Sequence, residues 1–403
     1  MVYERYIRDY LHEFDQLDRR CWNYEDGCVL IGAQAMYEAS GDEFCYQSIK
    51  KYIDRYVCED GSIKYYDMAE YNLDKIPSGR VLYLLYEKTG EVKYKIAIER
   101  LMEQLRGQPR TKCGSFWHKK IYPYQIWLDG LYMGMPFYTL YEMQFGDREN
   151  LEDVIQQFEN ARSYLYDEKS GLYYHAYDER RRMFWADKKT GLSENFWSRA
   201  IGWYLMALID CFEVMGMEKR SGEELGERMT ELQKGAELTK KRGRLAELFC
   251  EAVEGLFQYQ DRETGLFYQL TALIKEPGNY LETSASAMFA YAVLKACRLG
   301  VLEEARYRPR GEEILIALET RMFRCRSGRL KLTGMCVGAG LGPEGNDRRD
   351  GSVFYYLNER IVEDEQKGAG VVMMAYSEWL KLKREKGLAP LLYPRVTIYN
   401  DGY

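Results

Sequence analysis

The feature that most constrains the fold is a helix type that recurs six times along the 403 residues. Each segment combines small residues, aromatics and methionine with few charges, and each runs into a polar stretch that closes on a glycine. Such helices are apolar nearly all round and must be buried, while a closing glycine suits a left-handed helix C-terminus. The six segments are residues 28–41, 78–90, 128–146, 195–216, 283–300 and 370–387.

The intervals between these segments each leave room for a second, more amphipathic helix, such as residues 91–106 and 151–166. Six buried helices that alternate with six covering helices predict an all-α fold, an (α/α)6 barrel with short strand-like loops at one end. No linker rich in proline, glycine or serine interrupts the chain, so we expect residues 1–403 to form a single domain. A helical solenoid is the alternative, but its inner helices would face solvent along a groove and carry more charge.

A second recurrence lies between the helical segments, where a glycine is followed by apolar or aromatic residues. These positions predict turns or short strands that lead from a covering helix toward the next buried one. The glycines are Gly61, Gly114, Gly171, Gly265 and Gly351.

Charge and cysteine usage exclude several classes of protein. The formal net charge is −6, with acidic and basic residues interspersed, so a nucleic-acid partner is not expected. No stretch approaches the roughly 20 consecutive apolar residues of a membrane span, and the charged N-terminus lacks the apolar region of a signal peptide. The ten cysteines include no C-x-x-C pair, which indicates reduced thiols and a cytoplasmic enzyme.

Several familiar catalytic motifs are missing from the sequence. Only three histidines occur, His12, His118 and His175, and none has the spacing of a zinc-binding pair. We therefore predict neither a metal nor a cofactor. A glycine-rich string at residues 340–345 lacks the strand and helix that would make it a nucleotide-binding loop.

The strongest chemical signal is the placement of tryptophan. Six of the seven tryptophans lie near predicted loop-to-helix junctions, each within a few residues of an ionisable group. Aromatic faces beside charged groups bind sugars, because the apolar face of the ring stacks while the hydroxyls reach the charges. One such tryptophan alone is usually core, but the repetition favours a binding site. The six are Trp22, Trp117, Trp127, Trp185, Trp197 and Trp203.

Two aspartates are the candidate acids. Asp129 begins the third apolar segment, in IWLDGLYM, and allows two interpretations. It is either a helix cap or first-turn acid stabilised by the helix dipole, or a half-buried carboxyl beside Trp127 that acts as general acid. Asp74, in YNLDKI, opens the preceding inner helix at the equivalent place. Two acids on adjacent inner helices would face one pocket, as glycosidic chemistry requires.

Two basic residues also stand out. His175 follows the turn at Gly171 and fits a structural hydrogen-bonding role as well as it fits ligand binding. Arg199 lies between Trp197 and Trp203 near the start of an apolar helix, where its guanidinium needs an anion or several carbonyls. We expect Arg199 to bind the substrate or a catalytic carboxylate.

The chain resembles the unsaturated rhamnogalacturonyl hydrolases, glycoside hydrolase family 105. The resemblance runs in the right order from about residue 20 to residue 380, and the strings WSRAIGW and ETSASA are its most specific parts. The strings that carry it are NLD (72–74), WLDGLYM (127–133), ADKKTGLSENFWSRAIGWY (186–204), ETSASAM (282–288) and KGAG (367–370). The charged stretch at 218–244 departs from the family and indicates an enlarged connection between helices.

This resemblance implies an (α/α)6 barrel without a metal, acting on an oligosaccharide that ends in a 4,5-unsaturated uronic acid. By position in the motifs, Asp129 corresponds to the general acid/base and Asp74 to the second carboxylate of the site. Asp74 would bind ring hydroxyls and, as a nearby like charge, keep Asp129 protonated. The residues that resemble the family's substrate-site residues are Tyr24, His118, Lys119, Trp127, His175, Trp197, Arg199 and Trp203.

The implied reaction is hydration of the vinyl ether by a single acid, with Arg199 or Lys119 pairing with the uronate carboxylate. Two rival functions stay open at this point. One is an inverting glycosidase that cleaves a saturated sugar, with Asp74 as base and Asp129 as acid. The other is a barrel without catalytic activity that binds a sugar or a protein through its aromatic pocket.

Overall fold

The computed structural model describes residues 2–217, 228–385 and 387. Within these residues the chain is predominantly helical. The α-helices are α1 (Val2–Phe14), α2 (Tyr24–Ser40), α3 (Glu43–Tyr56), α4 (Val81–Thr89), α5 (Val92–Gly107), α6 (Leu128–Gln144), α7 (Leu151–Leu165), α8 (Ser198–Val214), α9 (Arg228–Leu256), α10 (Thr283–Arg298), α11 (Glu304–Arg321), α12 (Val353–Asn358) and α13 (Gln366–Glu385).

The strands are short and form antiparallel pairs in the connections between helices. β1 pairs with β4, β2 with β3, β5 with β6, and β7 with β8. Their bounds are β1 (Gln125–Trp127), β2 (Tyr166–Asp167), β3 (Leu172–Tyr173), β4 (Ala176–Asp178), β5 (Phe323–Arg326), β6 (Arg329–Leu332), β7 (Met335–Cys336) and β8 (Ile361–Val362).

Six helices form an inner ring and six cover it, which confirms the predicted (α/α)6 barrel. The inner helices are α2, α4, α6, α8, α10 and α13, and the outer ones are α1, α3, α5, α7, α9 and α11. The ring closes because α13 packs along α2, where Gly32 and Gly370 bring the backbones together. A Cβ atom on Gly32 would lie 2.6 Å from the carbonyl oxygen of Gly370. Closure excludes the open solenoid.

The glycine signals are confirmed in part. Gly41 and Gly90 end α2 and α4 in the left-handed conformation, with φ of 73° and 69°. The prediction is wrong at Gly146 and Gly216, after α6 and α8, which have no positive φ. Their N–H groups bond back to the carbonyls of Tyr141 and Glu213, each at 2.9 Å, so the last turn stays right-handed.

The turns between helices follow the second recurrence. All five of the predicted turn glycines have φ between 72° and 93°, and short antiparallel bridges flank several of them, such as Val57 with Ile63 and Arg110 with Phe116. The structure describes only part of the charged connection predicted at 218–244. Residues 218–227 lie outside the described part, and from Arg228 onward the chain is the helix α9.

One predicted helix start is wrong. Asp74 does not open an inner α-helix, but lies in a short 3-10 helix, Leu73–Lys75, followed by a second one, Pro77–Arg80, before α4 begins at Val81. Asn72 caps the first turn by accepting the N–H of Asp74 at 3.0 Å. Pro77 begins the second 3-10 helix at a first-turn position, where its missing N–H leaves no hydrogen bond unmade.

In the described residues, no helix is both long enough and apolar enough to cross a lipid bilayer.

Candidate active site

The connections before the inner helices are tied to one another by a repeated hydrogen bond. The first N–H of several inner elements bonds to a carbonyl in the next connection along the chain, as in Leu73 to His118 (3.1 Å) and Leu128 to His175 (3.2 Å). The N–H of Ser198 bonds in the same way to Gln269, at 3.1 Å. Because these contacts run round one end of the barrel, they bring His118, His175 and Gln269 to that end.

Asp74 is held by two basic residues. Lys119 Nζ lies 2.5 Å from its Oδ2 and His118 Nε2 lies 3.2 Å from its Oδ1. Burial by itself raises the pKa of Asp74, but attraction by Lys119 and His118 is stronger and lowers that pKa well below its usual range. Asp74 is therefore ionised at every pH at which the protein would work.

Asp129 has a different environment. It is the second residue of α6, whose N-cap is Trp127, and no side chain caps that helix. Asp129 is therefore not the cap of α6, whereas the alternative of a first-turn acid is confirmed. In the described chain no lysine or arginine pairs with it. His175 Nε2 lies 3.1 Å from Asp129 Oδ2, without the alignment of a hydrogen bond.

His175 is fixed from its other side. Its Nδ1 is 2.7 Å from the hydroxyl of Tyr356, and the imidazole is fully buried. Tyr356, on α12, was not singled out in the sequence, because nothing in its local pattern distinguishes it from a core tyrosine.

The segments that carry the two aspartates pack against each other at a glycine. A Cβ atom on Gly130, next to Asp129, would lie 3.2 Å from His118 Nδ1 and 3.3 Å from a methyl carbon of Leu73, next to Asp74. The turn that carries Asp74 thus packs directly on the start of α6. The structure thus packs the two segments that carry the candidate acids against each other, and a shared pocket for the two carboxyls stays a prediction.

Trp127 lies among the rings of this cluster. It stacks on His118 with centroids 5.0 Å apart and on Tyr122 at 4.8 Å, and it meets His175 edge-on at 5.2 Å. Its indole N–H donates to Gln125 Oε1 at 2.8 Å, which fixes the ring orientation.

Trp197 is the N-cap residue of α8, the counterpart of Trp127 on α6. Its ring lies 4.8 Å from that of His175, and its N–H donates to Gln269 Oε1 at 3.1 Å. The same junction position therefore provides an aromatic ring on each side of His175.

Arg199 is satisfied within the protein. Its Nη2 lies 3.0 Å from Glu282 Oε1 and also donates to the carbonyl of Cys336, while its Nε donates to Ser284 Oγ at 2.8 Å. The guanidinium is buried, and Nη1 alone lacks a partner. The anion that Arg199 requires is therefore Glu282, which occurs in the ETSASA string but had not been assigned a role.

Trp203 and Tyr24 form a second group of aromatic rings, on α8 and at the start of α2. Trp203 stacks on Tyr132 at 4.7 Å and meets Tyr24 edge-on at 6.3 Å. Burial, followed by the negative charge of Asp74, raises the pKa of Tyr24 well above its usual value. Tyr24 thus belongs to the surroundings of Asp74.

No group of three or more metal-ligating side chains lies together among residues 2–217, 228–385 and 387.

Comparison with known proteins places this arrangement in a family. The sequence profile of Glycosyl Hydrolase Family 88 matches residues 3–383. A glycoside hydrolase of family 105 from C. acetobutylicum has a solved structure that is 38% identical, with a TM-score of 0.84 over 94% of this chain and 99% of that chain.

Two curated proteins are also similar. Protein Atu3128 of Agrobacterium fabrum is 40% identical over 256 residues, which are 62% of this chain and all of that protein. The unsaturated rhamnogalacturonyl hydrolase YesR of Bacillus subtilis is 25% identical over 284 residues, 69% of this chain and 72% of that protein. With the clostridial structure and the family profile, these matches show that the chain belongs to the glycoside hydrolases of families 88 and 105.

Proposed function

We propose that this protein removes a 4,5-unsaturated uronic acid, in particular unsaturated galacturonate, from the non-reducing end of pectin-derived disaccharides such as unsaturated galacturonyl-rhamnose. The observation that carries the proposal is the contrast between the carboxyls of two segments that pack together. Asp74 is ion-paired with Lys119 and lies beside His118, whereas among the described residues no lysine or arginine reaches Asp129, whose neighbour is the imidazole of His175. Neighbouring carboxyls with different environments take different roles in acid–base chemistry.

Asp129 is the proton donor in this proposal. A carboxyl paired with a lysine cannot readily carry a proton, so Asp74 serves as a fixed negative charge and a hydrogen-bond acceptor for ring hydroxyls. The same pairing makes Asp74 a weak base, which argues against the inverting glycosidase in which it would activate water.

The reaction needs one acid. Asp129 protonates C4 of the C4=C5 double bond, and the cation at C5 is stabilised by the ring oxygen. Water attacks C5 and returns a proton to the Asp129 carboxylate. The hemiketal then opens by breaking the bond from C5 to the ring oxygen, and the hemiacetal left at C1 releases the aglycone. One water is consumed and one carboxyl completes both proton transfers.

The neighbouring side chains fit this sequence of steps. Trp127 and Trp197 flank His175 and would stack on the sugar faces. Tyr356 sets the orientation of His175, which lies beside the reacting carboxyl. Arg199, held by Glu282, positions the start of α8 and so the ring of Trp197. Tyr24 and Trp203 would form the floor of the pocket.

The substrate class rests on relatives. The Bacillus subtilis protein is named for hydrolysis of unsaturated rhamnogalacturonyl groups, and the family 105 structure covers nearly the whole chain. The name of the Bacillus subtilis relative supports a galacturonyl-rhamnose substrate over a glucuronyl one. We also propose a cytoplasmic location, since all ten cysteines are free thiols. Cell fractionation of the producing organism tests it.

An ultraviolet assay tests the function. The conjugated double bond absorbs, and its hydration removes that absorbance, whereas cleavage of a saturated glycoside does not change it. We expect the protein to remove the ultraviolet absorbance of lyase-derived unsaturated galacturonyl-rhamnose and to release rhamnose.

The matched variant is Asp129→Asn. The amide cannot donate the acidic proton, so turnover should fall by at least about 10²- to 10⁴-fold, while the disaccharide still binds. Full activity of this variant would contradict the mechanism. Binding without any turnover by the unaltered protein would favour the barrel without catalytic activity, and release of saturated sugars would favour the inverting glycosidase.

A further inference from the structure

The substrate proposed above carries a carboxylate, yet two cations of the site are already neutralised. Lys119 pairs with Asp74, and Arg199 pairs with Glu282 while fully buried. Using either one to bind a substrate anion would mean sharing or breaking an internal ion pair. We therefore looked for another positively charged side chain near the rings around Trp127.

Such a group lies on the glycine-rich connection between β7 and α12, residues 337–352. This loop is anchored over Trp127: Leu341 packs in a small apolar cluster with Trp127 and Trp185, and the indole N–H of Trp185 donates to the carbonyl of Gly342 at 3.2 Å. The carbonyl of Gly340 accepts from the hydroxyl of Tyr355 at 2.7 Å. The loop therefore forms one wall of the site.

Arg349 extends from this wall toward Trp127. A Cβ atom on Gly340 would lie 3.4 Å from a ring carbon of Trp127 and 3.8 Å from Nη2 of Arg349, so one small gap adjoins both groups. Gly340 leaves that gap open because it has no side chain. A planar acid stacked on the indole edge would meet the guanidinium there.

No aspartate or glutamate among the described residues lies within ion-pair distance of Arg349. Burial lowers the pKa of Arg349, while the hydroxyl of Tyr355 and, more weakly, the charge of Glu359 raise it. Glu359 itself pairs with the neighbouring Arg348 at 2.6 Å. Burial lowers the pKa of Lys119, but Asp74 and Tyr122 together raise it above its usual value, and the positive charge of Arg349 acts in the lowering direction. Arg349 is thus close enough to Lys119 to act on the same pocket, and it is half-buried.

We propose that Arg349 binds a carboxylate of the substrate and is a specificity-determining residue of this site. The inference rests on the proposed function, since it assumes an acidic oligosaccharide. The carboxylate belongs either to the unsaturated uronate that is removed or to a uronic acid farther along the aglycone, and both offer the same planar anion.

The test measures binding in the Asp129→Asn background, where the ligand is not consumed. Three ligands are compared by calorimetry: the unsaturated galacturonyl-rhamnose disaccharide, its methyl ester, and the tetrasaccharide with a second galacturonate. Arg349→Gln should weaken binding of an acidic ligand by about 10- to 150-fold, the range for a charge-assisted hydrogen bond. Arg349→Lys should recover part of the loss, because it restores the charge without the bidentate fork.

The ligands distinguish the two sources of the carboxylate. A loss on the disaccharide that is absent on its methyl ester assigns Arg349 to the unsaturated uronate. A loss seen only with the tetrasaccharide assigns it to the aglycone. Both results support the proposal. Equal losses on acid and ester, or no loss on any ligand, overturn it.

Arg348→Gln is the control, since this exposed arginine is adjacent in sequence and already paired. It should bind all three ligands as the parent does, and a loss equal to that of Arg349→Gln would overturn the proposal by showing a nonspecific charge effect. Turnover of the unaltered protein is measured separately. If it bleaches the disaccharide while Arg349→Gln binds normally, only this inference fails, whereas absence of bleaching defeats the proposed function itself.

Discussion

At the scale of the residue, the pair formed by Asp74 and Lys119 sets the electrostatics of the site. Removing one partner of a buried ion pair leaves the other charge uncompensated. Lys119→Met would leave Asp74 with His118 alone. Because both side chains keep some exposure, 12% for Asp74 and 21% for Lys119, we expect a cost of about 1–3 kcal/mol in the free energy of unfolding at pH 7.

The pH dependence follows from the direction of the pKa shift. The pKa of Asp74 is lower in the folded protein than the value of about 3.9 for an unfolded chain. Its stabilising contribution is therefore present above that unfolded pKa and is lost as the pH falls toward the folded pKa. In Lys119→Met the folded pKa rises, so the variant loses less on acidification.

Denaturant unfolding at pH 7 and near pH 3 measures this difference. The difference in the free energy of unfolding between the unaltered protein and Lys119→Met should be smaller at the lower pH. Lys120→Met, a change of the exposed neighbour, should show little effect at either pH. A gap of constant size would mean that Lys119 contributes by packing and not by its charge.

At the scale of the element, Glu282 joins three pieces of the barrel. It caps α10 by accepting the N–H of Ala285 at 2.6 Å, binds Arg199 on α8, and accepts the N–H of Cys336 on β7 at 3.0 Å. The same carboxylate thus caps its own helix and forms an ion pair with a distant arginine. It thereby aligns the starts of α8 and α10.

Replacing this carboxylate by an amide should be costly. Glu282→Gln leaves the buried Arg199 guanidinium without its counter-charge, and such uncompensated charges cost about 3–5 kcal/mol. Thermal unfolding should show a large drop in Tm, and kcat should fall because Trp197 is no longer held. Glu363→Gln breaks an exposed pair with Arg326 and should cost less than about 1 kcal/mol. Similar losses in both variants would contradict this account of Glu282.

At the scale of the whole molecule, the barrel depends on the seam between its first and last inner helices. A Cβ atom on Gly370 would lie 2.3 Å from the carbonyl oxygen of Cys28, a contact that the backbone of α2 can relieve only by moving. Gly370→Ala should therefore destabilise the protein by about 1–3 kcal/mol or more, the usual cost of overpacking.

The matched control is Gly243→Ala in the outer helix α9, where a Cβ atom would meet nothing within 4 Å. There alanine should stabilise by about 0.5–1 kcal/mol, because it restricts the unfolded chain and favours helix. Chemical denaturation of both variants measures the change in the free energy of unfolding, which should be negative for Gly370→Ala and positive for Gly243→Ala. A stabilising effect of Gly370→Ala would show that α2 and α13 are not tightly packed at this seam.

The architecture was predictable from sequence because burial and helix periodicity are local properties. Apolar segments that end in polar turns indicate inner helices, and the amphipathic intervals indicate outer ones. The position of Asp129 in the first turn of an inner helix, two residues after Trp127, was predictable as well. The exact start of the inner helix near Asp74 was not predictable, because two successive 3-10 helices come first and the α-helix begins only at Val81.

The chain alone thus determined a barrel of paired helices and the residue types that meet at one end of it. Only the tertiary structure decided the pairing among them: Arg199 with Glu282, 83 positions apart, and His175 with Tyr356, 181 positions apart. The reason is physical. A helix is specified by neighbours within a few residues, whereas the partner of a buried charge depends on which loops the closed ring brings together.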